Sequence, residues 1–224
     1  TEAEVVAALK AHNPSLQLQR TMGFYTYRDG VTTHRAPEYL RILQASPRDG
    51  VAQPERIYVL FSSLPGEQRV VSVSRLLDIG PQPPTAAQME QQLQQKYGAP
   101  LYRSAQRSGV TLDLRMVWEE EGKPNCWRTT PKDVNVPATG PNQGPIADHV
   151  IKGQSLGRLP RVDLASCGKA LGAEVIGDPV RTLRMSLSDL GPWAASDVAA
   201  SRWVDGLQKE AERSRVNRGS TPKL

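Results

Sequence analysis

Long apolar runs are missing from this chain. None approaches the roughly 20 residues that a membrane-spanning helix needs. Histidine is nearly absent as well, with three in 224 residues, His12, His34 and His149, all far apart. There are only two cysteines, Cys126 and Cys167, and neither belongs to a Cys-x-x-Cys pair. A zinc site needs about four ligands in a cluster, so no metal and no cofactor is expected. Aromatic residues make up 5% of the chain and hydrophobic residues 38%. That composition supports a thin core, which is easier to build as two modest modules than as one deep globule. No signal peptide is visible. The opening Thr1-Glu2-Ala3-Glu4 reads as the start of a helix, and the expectation is that a strand and an export signal lie upstream of it.

The net charge of +5 is unevenly placed. Lys209, Arg213, Arg215, Arg218 and Lys223 oppose only Glu210 and Glu212 at the C-terminal end. A nucleic-acid protein carries its basic stripe on the folded part. A basic end reads instead as a solvated tail, and nucleic acid is not an expected partner.

Thr1-x-x-Glu4 is a capping box followed by Val5 and Leu9, and Asn13-Pro14 ends that helix. Thr85-x-x-Gln88 is a second capping box, followed by Met89, Leu93 and Tyr97 and closed by Gly98 and Pro100. Thr1 and Thr85 are separated by 85 − 1 = 84 positions, and the same offset relates Glu4 to Gln88, Val5 to Met89 and Leu9 to Leu93. Strand-like stretches follow both helices: 16–20, 22–27, 39–45, 56–62 and 70–76 after the first, and 101–105, 109–118, 173–176 and 182–188 after the second. Asp29-Gly30 and Pro65-Gly66 supply turns. In the last strand Leu183, Met185 and Leu187 alternate with Arg184, Ser186 and Ser188, which predicts a buried leucine face and a wet serine face. A final helix is expected over 196–213, with Ala200, Trp203, Val204, Leu207 and Ala211 on one stripe.

The repeated order points to an internal duplication. It gives an α+β chain of two tandem modules, each a helix followed by an antiparallel meander, spanning 1–80 and 81–215. The second module carries an irregular Pro/Gly-rich insertion over 128–166 and the C-terminal helix, and 216–224 is a flexible basic tail. Two lone cysteines in one half of an exported chain point to a Cys126–Cys167 disulfide, the alternative being two buried thiols. The bridge would staple the ends of the insertion. Closing a loop of roughly 40 residues is worth about 4 kcal/mol in the chain-entropy model.

The segment Thr1-Glu2-Ala3-Glu4-Val5-Val6-Ala7-Ala8-Leu9-Lys10 resembles the first helix of bacterial envelope proteins related to the outer-membrane assembly lipoprotein BamE. The second helix with its exit turn at Gly98 and Pro100 resembles the same element. A tandem of such modules is the architecture of the β-lactamase inhibitor protein. The resemblance implies an envelope location, a curved antiparallel sheet and a role in binding, and it carries over no binding residue. Length, the Pro/Gly insertion and the C-terminal helix depart from a single BamE-like module.

Several motifs suggest catalysis and fail on context. Gly153-Gln154-Ser155-Leu156-Gly157 fits a nucleophile elbow, but Val150-Ile151 is too short for the preceding strand and Pro160 blocks the following helix. No histidine follows His149 to serve that serine. Ser166-Cys167-Gly168-Lys169 fits S-x-x-K, yet Gly168 and Gly172 oppose the helix that motif needs. Glu119-Glu120-Glu121 reads as a solvated turn rather than as a pair of acids flanking a glycosidic bond.

The remaining candidate surface is the hairpin of Tyr25, Tyr27, His34 and Arg35. Alternation places the two tyrosines on one face, which is a binding surface if wet and core if dry. The expected function is therefore a non-enzymatic periplasmic or secreted factor that binds another envelope protein. The alternative is an envelope hydrolase or transferase.

Overall fold

The computed structural model describes residues 1–47, 55–109, 111–124, 126, 134, 136 and 163–218. The Gly153–Gly157 motif, His149, Trp127 and most of the 128–166 insertion lie outside the described residues.

Both capping boxes form. In α1 (Glu2–His12) the Thr1 hydroxyl accepts from the Glu4 amide, and the Glu4 side chain reaches back to the cap. In α2 (Ala86–Tyr97) Thr85 and Gln88 do the same. Each exchange satisfies amides that a helix start leaves without partners.

The first half continues as β1 (Gln17–Gly23), β2 (Thr26–Arg28), β3 (Thr33–Arg35), β4 (Tyr39–Ser46), β5 (Glu55–Phe61) and β6 (Val70–Asp78). The second half has β7 (Tyr102–Ser108), β8 (Thr111–Glu119), β9 (Lys169–Ile176) and β10 (Thr182–Asp189), with α3 (Leu190–Arg218) at its end. The chain is thus α+β, with three α-helices among the described residues and one eight-stranded antiparallel sheet in the order β1-β4-β5-β6-β10-β9-β8-β7. The last strands of the two halves, β6 and β10, pair at its centre. β2 and β3 form a separate hairpin.

Residues directly opposite in an antiparallel ladder share a face. One row runs Leu43, Val59, Val73, Leu187, Leu171, Trp118 across six strands. Both α1 and α2 lie on this face. Leu9, Val5 and Val6 of α1 pack with Leu43, Ala45, Ile57 and Val59. Ala86, Met89 and Leu93 of α2 pack with Leu114, Met116, Trp118, Ala173 and Val175. The opposite row runs Ile42, Leu60, Ser72, Ser188, Ala170. It is covered by the first turns of α3, through Leu190, Trp193 and Ala194, and by the Cys126–Cys167 disulfide. The molecule therefore has three layers.

At the start of β10 Leu183 is buried as expected, but over the second half the expected polarity is overturned. Ser186 and Ser188 are buried, whereas Leu187 is exposed and Met185 half-buried. The reason is the third layer: α3 and the disulfide seal the serine face. Small hydroxyls tolerate burial when paired, and the Ser72 and Ser188 hydroxyls bond to each other at 2.8 Å. A register shift between Leu60 and Phe61 opposes Phe61 to Val70 and Leu60 to Ser72, leaving Val71 as an extra residue. Val71 is thereby free to join the core under α3.

Helix α3 starts six residues before the expected 196 because Gly191-Pro192 opens it rather than preventing it. Proline fits a first helical turn, where its missing N–H costs no hydrogen bond. Gly191 is there for closeness: a Cβ would stand 2.6 Å from the Cys167 carbonyl oxygen. Of the stripe expected to be core, Ala200 is buried and Trp203, Val204, Leu207 and Ala211 are half-buried.

Candidate functional site

The hairpin brings part of the expected surface together. Tyr27 and His34 are cross-strand partners whose rings stack at 5.3 Å. The imidazole Nε2 bonds the Asp29 carboxylate at 2.9 Å. Asp29 also accepts from the amides of Val31 at 2.9 Å and Thr32 at 2.7 Å, closing the turn. The Thr32 amide, the His34 ring and the Val31 amide together hold the Asp29 carboxyl far below the usual carboxylate range.

Arg35 is separate from that pair. Its guanidinium covers the Phe24 ring at 3.7 Å and is ion-paired with Glu38. Tyr25 turns away from both. It lies before β2, stacks on Tyr39 at 5.5 Å and meets Trp203 of α3 edge-on at 6.4 Å. Its hydroxyl donates to the Ser63 carbonyl at 3.3 Å, and burial, reinforced by Tyr39, pushes the phenol well above its ordinary value. Tyr25 therefore fastens the hairpin to α3. Tyr27 and His34 are half-buried, and Arg35 is exposed.

A second candidate lies on the sheet. Along the row from Leu43 to Trp118, Leu43 and Val59 are buried at one end and Trp118 at the other. At the centre Val73 is 38% exposed and Leu187 is 49% exposed. These two oppose each other across the β6–β10 ladder. Helix α1 covers β4 and β5, α2 covers β8 and β9, and the joint between the halves is left as an apolar trough. Its flanking residues Val59 and Leu171 are three strand spacings apart, about 14 Å. A helix with its side chains is about 10 Å across. Two residues along β6 from Val73 and on the same face, Arg75 pairs with Glu55, which His12 also reaches at 3.1 Å. Burial raises the Glu55 carboxyl, but the hydrogen bonds from His12 and Arg75 outweigh it and hold the group below its usual value.

The catalytic motifs gain nothing from the fold. Ser166 sits in a short 3-10 turn and donates to the Asp163 carbonyl at 2.6 Å, while Lys169 begins β9, so no helix presents the two together. Glu120 and Glu121 are exposed, and Glu120 accepts from the Lys169 amide at 3.0 Å. Among the described residues His12 bonds Glu55 and His34 bonds Asp29, and neither holds a hydroxyl. No group of three or more metal-ligating side chains occurs among the described residues.

No family model, curated protein or solved structure matches the chain. No helix among the described residues is long and apolar enough to cross a membrane.

The sequence pointed to the hairpin but missed the trough. Val73 and Leu187 read as ordinary buried strand residues, because one β-strand does not reveal which of its faces a helix will cover. The link from the hairpin to α3, through Tyr25, Trp203 and Arg215, also joins residues too distant in sequence to be read from local pattern.

Proposed function

We propose that the protein is an exported, non-enzymatic binding or assembly factor, built from two fused BamE-like modules in the manner of the β-lactamase inhibitor protein. Its partner is another protein of the bacterial envelope, which lays one helix or extended strand along the trough between α1 and α2. One observation carries the reading: the central row of the sheet is exposed at Val73 and Leu187, while the opposite face is buried from Ile42 to Ala170. Apolar side chains left uncovered mid-sheet suit a protein surface that is completed by a partner. The width of the trough suits a single segment. The fused-module reading is supported by the shared order of helix and four sheet strands in the two halves, and by both helices lying on one face. The Cys126–Cys167 disulfide supports export, since such bonds persist in oxidising compartments.

The test uses a photo-crosslinking residue at position 73 or 187, in the native envelope, to identify the partner. The purified partner is then titrated against wild type, Val73→Asp and Leu187→Asp. Both sites are exposed, so the variants are expected to fold, with melting temperatures near wild type. Loss of binding by ten-fold or more in both is the expected result. Equal binding by all three proteins, or turnover of the partner, overturns the proposal.

A further inference from the structure

A cleft of about 320 Å³ opens between the β5–β6 connection and the first turns of α3, on the sheet face opposite the trough. Val71, which is buried, with Leu64, Ala195 and Ala199 gives it an apolar wall, and Ser62 and Ser196 line it as well. Glu67 and Arg69 also line it, and among the described residues neither has an ion-pair or hydrogen-bond partner for its charged end.

The cleft is preformed rather than a gap between loose parts. The Ser62 hydroxyl donates to the Glu67 carbonyl at 2.8 Å and accepts from the Arg69 amide at 2.9 Å, closing the loop on itself. The Ser63 amide donates to the Ser196 hydroxyl at 2.8 Å, and the Ser63 hydroxyl donates to the Asp197 carboxylate at 2.5 Å, tying the same loop to α3. Small residues at 195 and 199, one helical turn apart, keep the α3 wall recessed.

From this arrangement we infer a binding site for a small zwitterion, an α-amino acid with an aliphatic side chain. The guanidinium of Arg69 suits a carboxylate, which it can hold through two parallel N–H donors. The Glu67 carboxylate suits the ammonium. These residues are two positions apart in chain, which sets their backbones no more than about 7 Å apart. One ligand can therefore meet both charges while its side chain enters the apolar walls. The cleft falls at the small end of the range for small-molecule sites, about 300–1,000 Å³, which favours a single amino acid. A simple fatty acid would leave Glu67 unmatched, and an amine would leave Arg69 unmatched.

The site does not depend on the trough reading, and its test is separate. L-leucine is titrated into the full-length, oxidised protein while the amide resonances of residues 64–71 and 192–199 are followed by NMR. Saturable shifts confined to these segments are expected, with binding detected below about 10 mM ligand. Arg69→Ala and Glu67→Gln are each expected to weaken binding about ten-fold, a loss of about 1.4 kcal/mol. Their exposed side chains and unaltered backbone bonds leave the fold intact. 4-Methylpentanoate, which lacks the ammonium, is expected to bind at least ten-fold more weakly than leucine to wild type and equally to wild type and Glu67→Gln. Absence of saturable shifts with leucine overturns the proposal. So does leucine binding that neither variant weakens, or equal binding of leucine and 4-methylpentanoate.

Discussion

Arg215 reaches from the far end of α3 to the hairpin and donates through Nε to the Asp29 carbonyl at 2.8 Å, joining residues 186 positions apart. The hairpin is held on one side by this bond and on the other by Tyr25 against Trp203. Replacing Arg215 by alanine is expected to cost about 0.5–1.5 kcal/mol, the net worth of one such hydrogen bond. Hydrogen exchange should locate the change. Amides of β2 and β3 should lose protection first, while those of β8 and β9 keep theirs. Uniform loss across the sheet would show that α3 supports the whole fold through this bond.

Asp29 gives the acid limb of stability a specific origin. Its folded-state carboxyl is depressed by the Thr32 and Val31 amides and by His34, against an unfolded value near 3.9. A depressed carboxylate contributes stability that is fully present above the unfolded value and is lost as pH falls below it toward the folded one. Asp29→Asn should therefore be less stable than wild type at pH 7, and the difference should shrink steadily below about pH 4. Urea titrations of both proteins at pH 7, 4 and 2.5 check this. A constant difference across that range would rule out the mechanism.

The disulfide should account for a large share of stability. The bond spans 41 positions. Cys126→Ser with Cys167→Ser is expected to lose about 4 kcal/mol in the chain-entropy model. Denatured, unreduced wild type should show no reactive thiol. Two titratable thiols would remove both the bridge and the main support for export.

Neither described histidine is expected to be essential to the fold. His12→Ala and His34→Ala each remove one partly exposed hydrogen-bond partner of a carboxylate. A loss below about 2 kcal/mol is expected for each. Abolition of a measured activity in either variant, with the fold retained, would favour an enzyme over a binding protein.

Local chemistry was legible in the sequence where it is decided within a few residues. The two capping boxes depend on neighbours in chain and stand where the pattern placed them. Asp29 does open the hairpin turn, but that turn runs over 29–32 rather than two residues. The strand expected over 22–27 is divided between the end of β1 and β2. The start of α3 was missed because the apolar stripe that marks it begins only at Ala200, whereas the helix opens at Leu190. The buried side was inverted over the second half of β10 for a different reason. Alternation reports that a strand has two unlike faces, but which one is covered depends on where α3 lies, and that is set by residues far away. Tyr25 and Tyr27 show the same limit. Their spacing suggested one shared surface, yet Tyr25 precedes β2 and answers to Trp203, whereas Tyr27 answers to His34.

Strands β8 and β9 are antiparallel neighbours in the sheet, as the arms of a simple hairpin would be. Yet 41 positions separate Cys126 from Cys167, whose Cα atoms are 5.8 Å apart. A span that short can be closed by a link of a few residues. The chain thus leaves and rejoins the sheet at almost one point, and in between Val134 is buried and its carbonyl accepts from Arg115 at 3.4 Å. A version with a short linker in place of residues 127–162 keeps every rung of the β8–β9 ladder and the 3-10 turn at Leu164–Ser166 beside α3, at the loss of the buried Val134. It offers a compact scaffold in which the trough and the α3 cleft can be studied apart from the insert, and a natural place to graft a foreign loop.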